Sequence, residues 1–578
     1  MNITNTTTTV CAVLTAAAFA NAQWSDITHV GIAGQDGDGT MGVSFVDFDS
    51  DGDDDLVIAN GTMTGTGGPT RVFINDGAGN FTEETSGPFA EDHRVWSPIF
   101  GDIDNDGDLD VFFVSFGEQC RLFENQGDGA FVELWGPWVD SCTLPNCPGG
   151  IQGNMMTRGG AWIDYDSDGL LDIMISTNAV SGYIQSNKLY RNKGNNTFED
   201  TTPEIWDNGV IGRGIAWCDF DNDGDLDLYA VGGKGCPCNW EEIPDNWWDY
   251  AGNRMYRNDD GESTDVTNKV TADPWHGRGV AIGDYDNDGD FDIYICNVGL
   301  DGEEGKNPEH IQGVNRLLRN EGNFQFVDVT PTSLRLSGGE RSPAWFDMDN
   351  DGDLDLAITV MWNECPNLAV YENTGGDSFV RVDDDNFCQE DQIGASGVGL
   401  AIADIDDDGD LDIATTWKFG KNLLLRNDLD NENHWIKIKL EGTISNRSAV
   451  GARVEIISGE LTQIRELVTG SGYWSQHSMV QHVGLGDRTS IDEIVVRWPS
   501  GNIQHVFPTC IDRTIRIVEM EPQCPADLNA DCNVDVSDIL MLIGNWGSTD
   551  DPALDIDGSG EVDVADLLLA VAAWGNCP

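Results

Sequence analysis

Basic residues are scarce in this sequence, which has 31 Lys and Arg against 101 Asp and Glu and a formal net charge of −70. Proteins bind a phosphate backbone through basic surfaces that displace counterions, so this composition excludes nucleic acid as a partner. It also excludes an anionic membrane surface. No apolar run of about 20 residues follows the N-terminal region, which argues against a transmembrane segment.

A high net charge is typical of disordered chains, but this sequence also contains the hydrophobic residues that a folded core requires. Hydrophobic residues make up 39% of its 578 residues, and 68 Gly and 19 Trp favour β structure with tight turns. The length predicts several domains. The acidic residues are therefore expected to follow an ordered pattern.

Residues 1–22 have the pattern of a secretory signal peptide. An apolar run from Val10 to Ala20 leads to the small-residue cleavage pattern Ala20-Asn21-Ala22, although no Lys or Arg precedes the run. We expect a secreted protein, extracellular or at the cell surface. The alternative is an N-terminus that is merely apolar.

The cysteines fit an oxidising compartment, because several of the 14 lie close together in sequence. The close pairs are Cys142 with Cys147, Cys236 with Cys238, and Cys365 with Cys388. Cys218 and Cys296 lie in apolar strand contexts and are expected to be buried thiols.

An acidic ten-residue pattern occurs seven times and organises most of the chain. The copies are DFDSDGDDDL at 47, DIDNDGDLDV at 102, DYDSDGLLDI at 164, DFDNDGDLDL at 219, DYDNDGDFDI at 284, DMDNDGDLDL at 347 and DIDDDGDLDI at 404. One apolar strand precedes each copy, and an apolar strand, a strand ending in Asn and a further strand follow it. Four strands per repeat, seven times, predict a seven-bladed β-propeller over residues 23–430.

The seventh repeat lacks its fourth strand, because the sequence changes character at NENHWIKIKL. Residues 23–28, QWSDIT, have the pattern of the missing strand. We predict that residues 23–30 complete the seventh blade and close the ring, which would remove the exposed sheet edges of an open array.

Within each acidic loop, Asp residues fall at positions 1, 3, 5 and 9, and Gly falls at position 6. The first three acids bring oxygen atoms to one point, and Gly permits the sharp turn. Position 7 offers its backbone carbonyl, and position 9 completes the coordination shell of a bound cation. Ligation by oxygen alone favours calcium. The third loop has Leu170 at position 7, where only a backbone ligand tolerates the change from Asp.

The predicted calcium ligands of the seven loops are Asp47, Asp49, Asp51, Asp53 and Asp55; Asp102, Asp104, Asp106, Asp108 and Asp110; Asp164, Asp166, Asp168, Leu170 and Asp172; Asp219, Asp221, Asp223, Asp225 and Asp227; Asp284, Asp286, Asp288, Asp290 and Asp292; Asp347, Asp349, Asp351, Asp353 and Asp355; and Asp404, Asp406, Asp408, Asp410 and Asp412. These loops are not EF-hands, because position 12 is apolar or small and strands flank them. The chain resembles the FG-GAP (VCBS) repeat family of integrin α-subunit propellers. This resemblance implies about seven structural calcium ions in the propeller.

Long insertions in the repeats are expected on the propeller face opposite the calcium loops. They carry Trp135, Trp138, Trp240, Trp247, Trp248 and Tyr250. Such aromatic residues suit stacking against a glycan or anchoring a protein partner. The alternative is that they pack beneath their own loops.

Residues 434–518 have balanced charge and strand-like runs. HWIKIKLEGTISNRSAVGARVEI, GSGYWSQ and VVRWPSG resemble the ASPIC/UnbV domain, which implies an extracellular, matrix-like or adhesive setting without a defined activity. Arg447, Arg453 and Trp498 are candidate ligand-binding residues, although turn-fixing and core roles are favoured.

Residues 519–523 are predicted to be a linker, and residues 524–578 contain two acidic loops 28 residues apart, each followed by an apolar helical run. The predicted ligands are Asp527, Asn529, Asp531, Asn533, Asp535 and Asp538, and Asp555, Asp557, Ser559, Glu561, Asp563 and Asp566. The pattern resembles a type I dockerin, which implies two calcium ions and docking to a cohesin or another cell-surface partner. The alternative is a self-contained stabilising tail.

These features predict a mainly β protein, composed of a seven-bladed propeller, a small β domain and a small α-helical dockerin-like module. We expect a secreted, calcium-binding, non-catalytic adhesion protein that recognises a glycan or protein. One alternative is an extracellular carbohydrate-active enzyme, a polysaccharide lyase or hydrolase, but no His, Lys, Tyr or carboxylate stands in a recognisable catalytic motif. Another is a structural matrix protein without a discrete ligand.

Overall fold

A computed structural model describes residues 24–34, 39–61, 67–115, 118–134, 157–177, 187–206, 212–232, 252–298, 313–360, 368–387, 396–429, 431–520, 528, 533–534, 536–548, 554, 562–572 and 575–576, apart from 128, 274–275, 337–338, 383, 419, 471 and 535. The protein is mainly β. Its N-terminal elements are β1 (Trp24–Asp26) and α1 (Val30–Ala33).

Each of the first six acidic repeats contributes four antiparallel strands to one sheet. In chain order, these six sheets contain β2 (Val43–Val46), β3 (Asp55–Ile58), β4 (Arg71–Asn75) and β5 (Phe81–Glu83); β6 (Val95–Gly101), β7 (Asp110–Ser115), β8 (Arg121–Asn125) and β9 (Phe131–Leu134); β10 (Thr157–Ile163), β11 (Asp172–Thr177), β12 (Lys188–Asn192) and β13 (Phe198–Asp200); β14 (Gly212–Cys218), β15 (Asp227–Gly232), β16 (Arg254–Asp259) and β17 (Glu262–Asp265); β18 (His276–Gly283), β19 (Asp292–Val298), β20 (Arg316–Asn320) and β21 (Phe326–Asp328); and β22 (Pro343–Phe346), β23 (Asp355–Thr359), β24 (Leu368–Asn373) and β25 (Phe379–Val382).

A further sheet combines the two ends of the repeat region. It contains β26 (Ser396–Ala403), β27 (Asp412–Lys418), β28 (Leu423–Asn427) and, as its outer strand, β1. Trp24 of β1 is paired with Asn427 of β28, and Asp26 with Leu425.

The first strand of each sheet lies against the first strand of the next, from β2 through β26, and β26 also lies against β2. Apolar clusters fill the space between neighbouring sheets; one joins Val57 and Val72 of the first sheet to Phe100 and Phe113 of the second. These sheets fit a propeller-like repeat fold. Short 3₁₀ helices cover Gly87–Ala90, Glu204–Trp206, Thr332–Leu334 and Asp385–Phe387.

Two sheets follow the repeats. One contains β29 (His434–Glu441), β33 (Gln481–Gly486) and β36 (Thr514–Val518), and the other contains β30 (Arg453–Ser458), β31 (Leu461–Glu466), β34 (Glu493–Arg497) and β35 (Ile503–Val506). A short strand between them, β32 (Ser475–Gln476), pairs in parallel with β2 of the repeat region. Glu519 belongs to this unit, because its Oε2 accepts the N–H groups of Thr443, Ile444 and Ser445.

The C-terminal unit contains β37 (Asn533–Val534), α2 (Val536–Gly544), α3 (Val564–Ala572) and β38 (Gly575–Asn576). The two strands pair, and Val534, Leu542, Val562 and Ala570 belong to a small apolar core. Within the described parts of the chain, no helix has the length and apolar composition needed to cross a bilayer.

Candidate metal-binding loops

Each acidic loop connects the first and second strands of its sheet, and its backbone is held in one conformation. The residue at position 4 has φ between 52° and 63° in all seven loops, which explains the Asn, Ser or Asp found there. Gly at position 6 has φ between 83° and 109°, a region that disfavours other residues. Its N–H donates to the position-1 carboxylate over 2.8–3.2 Å.

The position-9 carboxylate holds the loop to its own sheet. One of its oxygens accepts the position-2 N–H over 2.8–3.3 Å in every repeat. The other accepts the N–H of the Asn that ends the third strand, over 2.7–2.9 Å. The position-9 carboxylate therefore fixes the loop to the sheet. Its oxygen atoms also keep lone pairs that could bind a cation.

The same Asn joins neighbouring repeats. In six repeats its Nδ2 donates to the position-2 carbonyl of the preceding loop, as from Asn320 to Phe220 over 2.9 Å. Asn75 of the first repeat donates in this way to Ile405 of the last, over 2.7 Å. This contact explains the recurring Asn at the end of the third strand.

Replacing one of these amides tests the link between repeats. Asn320→Ala removes a buried donor and leaves the Phe220 carbonyl without this partner, so we expect a loss of roughly 1–3 kcal/mol in unfolding free energy. Gln325→Ala, at an exposed position of the same hairpin, is the matched control. Urea titration measures both; equal stability of the two variants would contradict the role assigned to Asn320.

Carboxylate oxygens converge in the loops. In the second, fourth and fifth loops, oxygens of positions 1, 3 and 9 lie within 4.8 Å of one another. In the first and third loops the converging positions are 1, 3 and 5. Several of the predicted Asp clusters could therefore bind calcium, in a loop of the FG-GAP type.

The donor set fits a hard cation. In five loops, position 3 keeps a buried carboxylate oxygen that accepts no hydrogen bond from the described residues, namely in Asp104, Asp166, Asp221, Asp286 and Asp406. In three of them a third-strand arginine lies 2.5–4.0 Å from the same carboxylate, but it leaves this Oδ1 without a hydrogen bond. Calcium is coordinated by oxygen atoms of this kind, whose lone pairs are not used in hydrogen bonds.

Burial raises the pKa of the position-9 carboxyl group in all seven loops. At position 9, burial is the main cause, and the neighbouring loop acids add to it although backbone hydrogen bonds oppose it. The pKa of Asp110 rises to about 8 and that of Asp227 to about 9. A bound cation would supply the opposite charge that favours ionised carboxylates.

The β domain covers the loops with basic residues. Lys437 Nζ lies 2.6 Å from Asp404 Oδ2, and Lys439 Nζ lies 2.8 Å from Asp47 Oδ2. The Arg447 backbone N–H donates to Asn105 Oδ1, and Arg453 donates to Gly289 O. These contacts were not predicted; the only sequence signal was balanced charge in an otherwise acidic chain.

Residues 469–470 and 472–476, here called the axial segment, lie between the first strands of the repeat sheets. Thr469 exchanges hydrogen bonds with the backbone of Trp162, and the N–H of Tyr473 donates to Ser342 Oγ. The Trp474 carbonyl accepts the N–H of Val43, and Gln476 accepts the N–H of Phe100. The segment thus contacts sheets from all parts of the repeat array.

Other predicted residues fall into three groups. The aromatic candidates Trp135, Trp138, Trp240, Trp247, Trp248 and Tyr250 lie outside the described residues, as do the six cysteines predicted from their close spacing. Trp498 is a core residue, and Cys218 and Cys296 are buried free thiols as expected. Of the C-terminal ligands, Asp538 and Asp566 are buried and Asp563 is half-buried, whereas the side chains of the others lie outside the described set.

Two family models match parts of the chain. The chain contains FG-GAP-like repeats, matched at residues 47–113, 103–175, 164–230 and 307–358, and an ASPIC and UnbV domain, matched at residues 442–523. The FG-GAP and ASPIC/UnbV resemblances seen in the sequence are confirmed, whereas the dockerin resemblance of residues 524–578 stays a prediction. The combination suggests an extracellular ligand-binding protein.

The chain is similar to Cartilage acidic protein 1. It is 25% identical over 504 residues to that of Xenopus tropicalis, covering 80% of this chain and 70% of the relative, and 25% identical over 497 residues to that of Homo sapiens, covering 80% and 69%. Among solved structures, BBS1N in complex with ARL6DN matches at 10% identity with a TM-score of 0.40, over 71% of this chain and 100% of that chain.

Proposed function

We propose that this chain is a secreted, calcium-stabilised, non-catalytic protein that binds an extracellular glycan or protein. The observation that carries the proposal is the set of convergent loop carboxylates, several of which have buried oxygens that accept no hydrogen bond within the described part of the chain. Similarity to Cartilage acidic protein 1 supports an extracellular setting.

The repeats would form one closed seven-bladed propeller. The pairing of β1 with β28 and the hydrogen bond from Asn75 to Ile405 both connect the beginning of the repeat region to its end. In a closed ring β1 covers the edge of β28, and only the short outer strands remain as sheet edges.

Calcium would be held by the carboxylates at positions 1, 3, 5 and 9 and by the position-7 carbonyl. It would supply positive charge that offsets the mutual repulsion of the acids. In loops four to six, the position-4 Asn donates to the position-7 carboxylate of the next loop, as from Asn222 to Asp290 over 2.7 Å. One loop thereby helps to fix its neighbour.

Native mass spectrometry tests the calcium assignment. We expect about nine ions in the mature protein, seven in the propeller and two in the C-terminal unit. Asp286→Asn should remove one ion, whereas Glu199→Gln, an exposed acid outside the loops, should remove none. Unchanged stoichiometry in Asp286→Asn would refute this loop as a site.

The β domain occupies the loop side of the sheets, so a ligand would bind the opposite face, where the insertions are expected. A glycan array with and without EDTA separates the candidate functions. A lectin gives calcium-dependent retention, a lyase or hydrolase gives shortened product, and a matrix component gives neither. Loss of retention in Trp247→Ala/Trp248→Ala would assign binding to the insertions.

Docking through the C-terminal unit is a second candidate function. Its helices carry exposed apolar residues at equivalent positions 28 residues apart: Val536 and Val564, Leu540 and Leu568, and Ile543 and Val571. Leu540 and Leu568 are 60% and 63% exposed. Two matching apolar surfaces favour a protein partner of the cohesin type.

Acidic substitutions test this docking surface. Leu540→Asp/Leu568→Asp should weaken binding to an immobilised type I cohesin by at least about tenfold, because each change places a charge in an apolar contact. Phe507→Asp alters an equally exposed apolar residue of the β domain and should leave binding unchanged. Surface plasmon resonance measures the affinity of both variants. Absence of cohesin binding by the parent protein would contradict the docking proposal.

A further inference from the structure

Strand β29 of the β domain crosses the place where the repeat array begins and ends. Three alternate residues of the strand, Ile436, Ile438 and Leu440, belong to a buried apolar cluster. Successive side chains of a strand lie on opposite faces, so the residues between them share the other face. They are Trp435, Lys437, Lys439 and Glu441. This second face lies on the acidic loops.

The first half of β29 contacts the seventh loop. The Trp435 ring lies against the position-6 glycine of that loop, since a Cβ on Gly409 would lie 1.9 Å from the ring. Lys437 Nζ lies 2.6 Å from Asp404 Oδ2, the position-1 carboxylate. The same ammonium group contacts the carboxylate of Asp407 at position 4. One lysine thus binds two acids of the last repeat.

The second half of β29 reaches the beginning of the repeat array. Lys439 Nζ lies 2.8 Å from Asp47 Oδ2, the position-1 carboxylate of the first loop. Glu441 pairs with Arg447 over 3.0 Å, and the Arg447 backbone N–H donates to Asn105 of the second loop. One strand face therefore contacts the last loop, then the first loop and, through Arg447, the second.

The junction of the seventh and first loops differs from other junctions. In loops four to six the position-4 Asn donates to a carboxylate of the next loop, but the seventh loop has Asp407 there. An ionised carboxylate only accepts hydrogen bonds, so Asp407 cannot donate to Asp53, the position-7 acid of the first loop. Burial is the main cause that raises the pKa of Asp53; the charge of Asp407 adds to it, and that of Lys437 opposes it.

Lys437 supplies positive charge at this junction. It is only 6% exposed, and a lysine so deeply buried is rare in proteins unless its charge is paired. Its attraction to Asp404 and Asp407 is therefore screened less by water than that of Lys439, whose side chain is 42% exposed. We expect Lys437 to contribute more than Lys439 to holding the two loops.

The lysine contact leaves oxygen atoms of the seventh loop available to a cation. Lys437 and the N–H of Gly409 both bind Oδ2 of Asp404, whereas its Oδ1 is buried and accepts no hydrogen bond from the described residues. The Oδ1 atom of Asp406 is in the same state. Calcium and the ammonium group can therefore be present together, and the ammonium group remains when calcium is removed.

We propose that Lys437 and Lys439 clamp the last and first acidic loops together and hold the ring closed when the loops lack calcium. This inference rests on the closed ring proposed above. Strand β1 closes the ring at the outer strand of the last sheet, whereas the clamp closes it at the loops. The β domain thus contributes to closure of the propeller, although it follows the repeats in the chain.

Hydrogen–deuterium exchange of the full mature protein, read by mass spectrometry of its peptides, tests the clamp. Lys437→Met removes the charge and keeps an apolar side chain beside Trp435. In EDTA, we expect amides of β1 and β28 to exchange at least about tenfold faster in this variant than in the parent protein, because a buried ion pair has lost one partner. In calcium the difference should be smaller, since the bound ion offsets the lost charge. Peptides of β16 and β17 should exchange as in the parent protein.

Two further lysine variants separate the clamp from a general effect of charge. Lys193→Met removes an exposed lysine of the third repeat, 4.0 Å from Glu199, and should leave exchange at β1 and β28 unchanged. Lys439→Met should accelerate this exchange by a smaller factor than Lys437→Met. It carries the test if Lys437→Met fails to fold.

A substitution at position 4 of the seventh loop provides a rescue. In the Lys437→Met background, Asp407→Asn removes one negative charge and introduces a side-chain donor toward Asp53, of the kind that joins loops four to six. We expect it to restore most of the protection of β1 and β28. A purely packing role of Lys437 would not respond to this change.

Three results distinguish the clamp from the proposals on which it rests. Protected β1 and β28 amides that exchange equally in the parent protein and Lys437→Met in EDTA would overturn the clamp alone. Fast exchange of these amides in the parent protein, even in calcium, would contradict the closed ring and the clamp with it. Equal acceleration by Lys437→Met in calcium and in EDTA would support the clamp and contradict calcium binding by the seventh loop.

Discussion

Chelation with EDTA is expected to lower the melting temperature of the mature protein by on the order of 20 °C. A ligand present at a hundredfold excess over its Kd stabilises the folded state by about 2.7 kcal/mol per site, and seven sites act together. The loops would otherwise hold converging carboxylates, since the position-9 acid is buried in all seven loops and the position-1 acid is buried in the second to the sixth.

The effect should depend on pH with a defined sign. Burial raises the pKa of Asp110 to about 8 and of Asp292 to about 9, above the ordinary value of 3.8. Without calcium the folded state then binds more protons than the unfolded state between about pH 4 and 9, so its stability falls as the pH rises. Calcium competes with these protons, and its stabilising effect should therefore grow with pH.

Differential scanning calorimetry at pH 5, 7 and 8.5, in calcium and in EDTA, measures this effect. Restoring calcium after chelation is the control, because it should recover the original transition. Equal melting temperatures in calcium and EDTA at all three pH values would contradict calcium binding by the loops.

Trp24→Ala is expected to be the most damaging single substitution in the closing sheet, with a loss of about 3–5 kcal/mol in unfolding free energy. The Trp24 side chain is 2% exposed and packs edge-on against Phe387 with ring centroids 5.6 Å apart. Its carbonyl accepts the side-chain N–H of Asn386 over 2.7 Å. These contacts hold β1 to the 3₁₀ helix Asp385–Phe387, which follows the sixth repeat sheet.

The matched control is Thr82→Ala, at an exposed position of β5, the equivalent outer strand of the first sheet. Thermal unfolding and limited proteolysis at the N-terminus measure both variants. If Trp24→Ala has the same melting temperature as the parent protein, β1 contributes nothing to closure of the ring.

The sequence predicted best those features that depend on residues within a single repeat. The Asp, Gly and Asn pattern predicts a strand, a loop and further strands, since each residue acts within its own repeat: Gly107 permits the turn, and Asp110 binds the backbone at Ile103 and Asn125. Family resemblance then identified the FG-GAP-like and ASPIC/UnbV units. The Asn at the end of the third strand was visible as a pattern, but its role was not, because its side chain acts on the preceding repeat.

The sequence by itself determined the β class, the repeat, the oxygen-rich loops and the acidic character of this protein, because strand alternation and loop geometry are local properties of the chain. Only the tertiary structure decided which residues meet across it. Lys439 lies against Asp47 although 392 positions separate them, and Thr469 exchanges hydrogen bonds with the backbone of Trp162, 307 positions away. Such contacts depend on how sheets pack around an axis, and no periodicity in the chain records that arrangement.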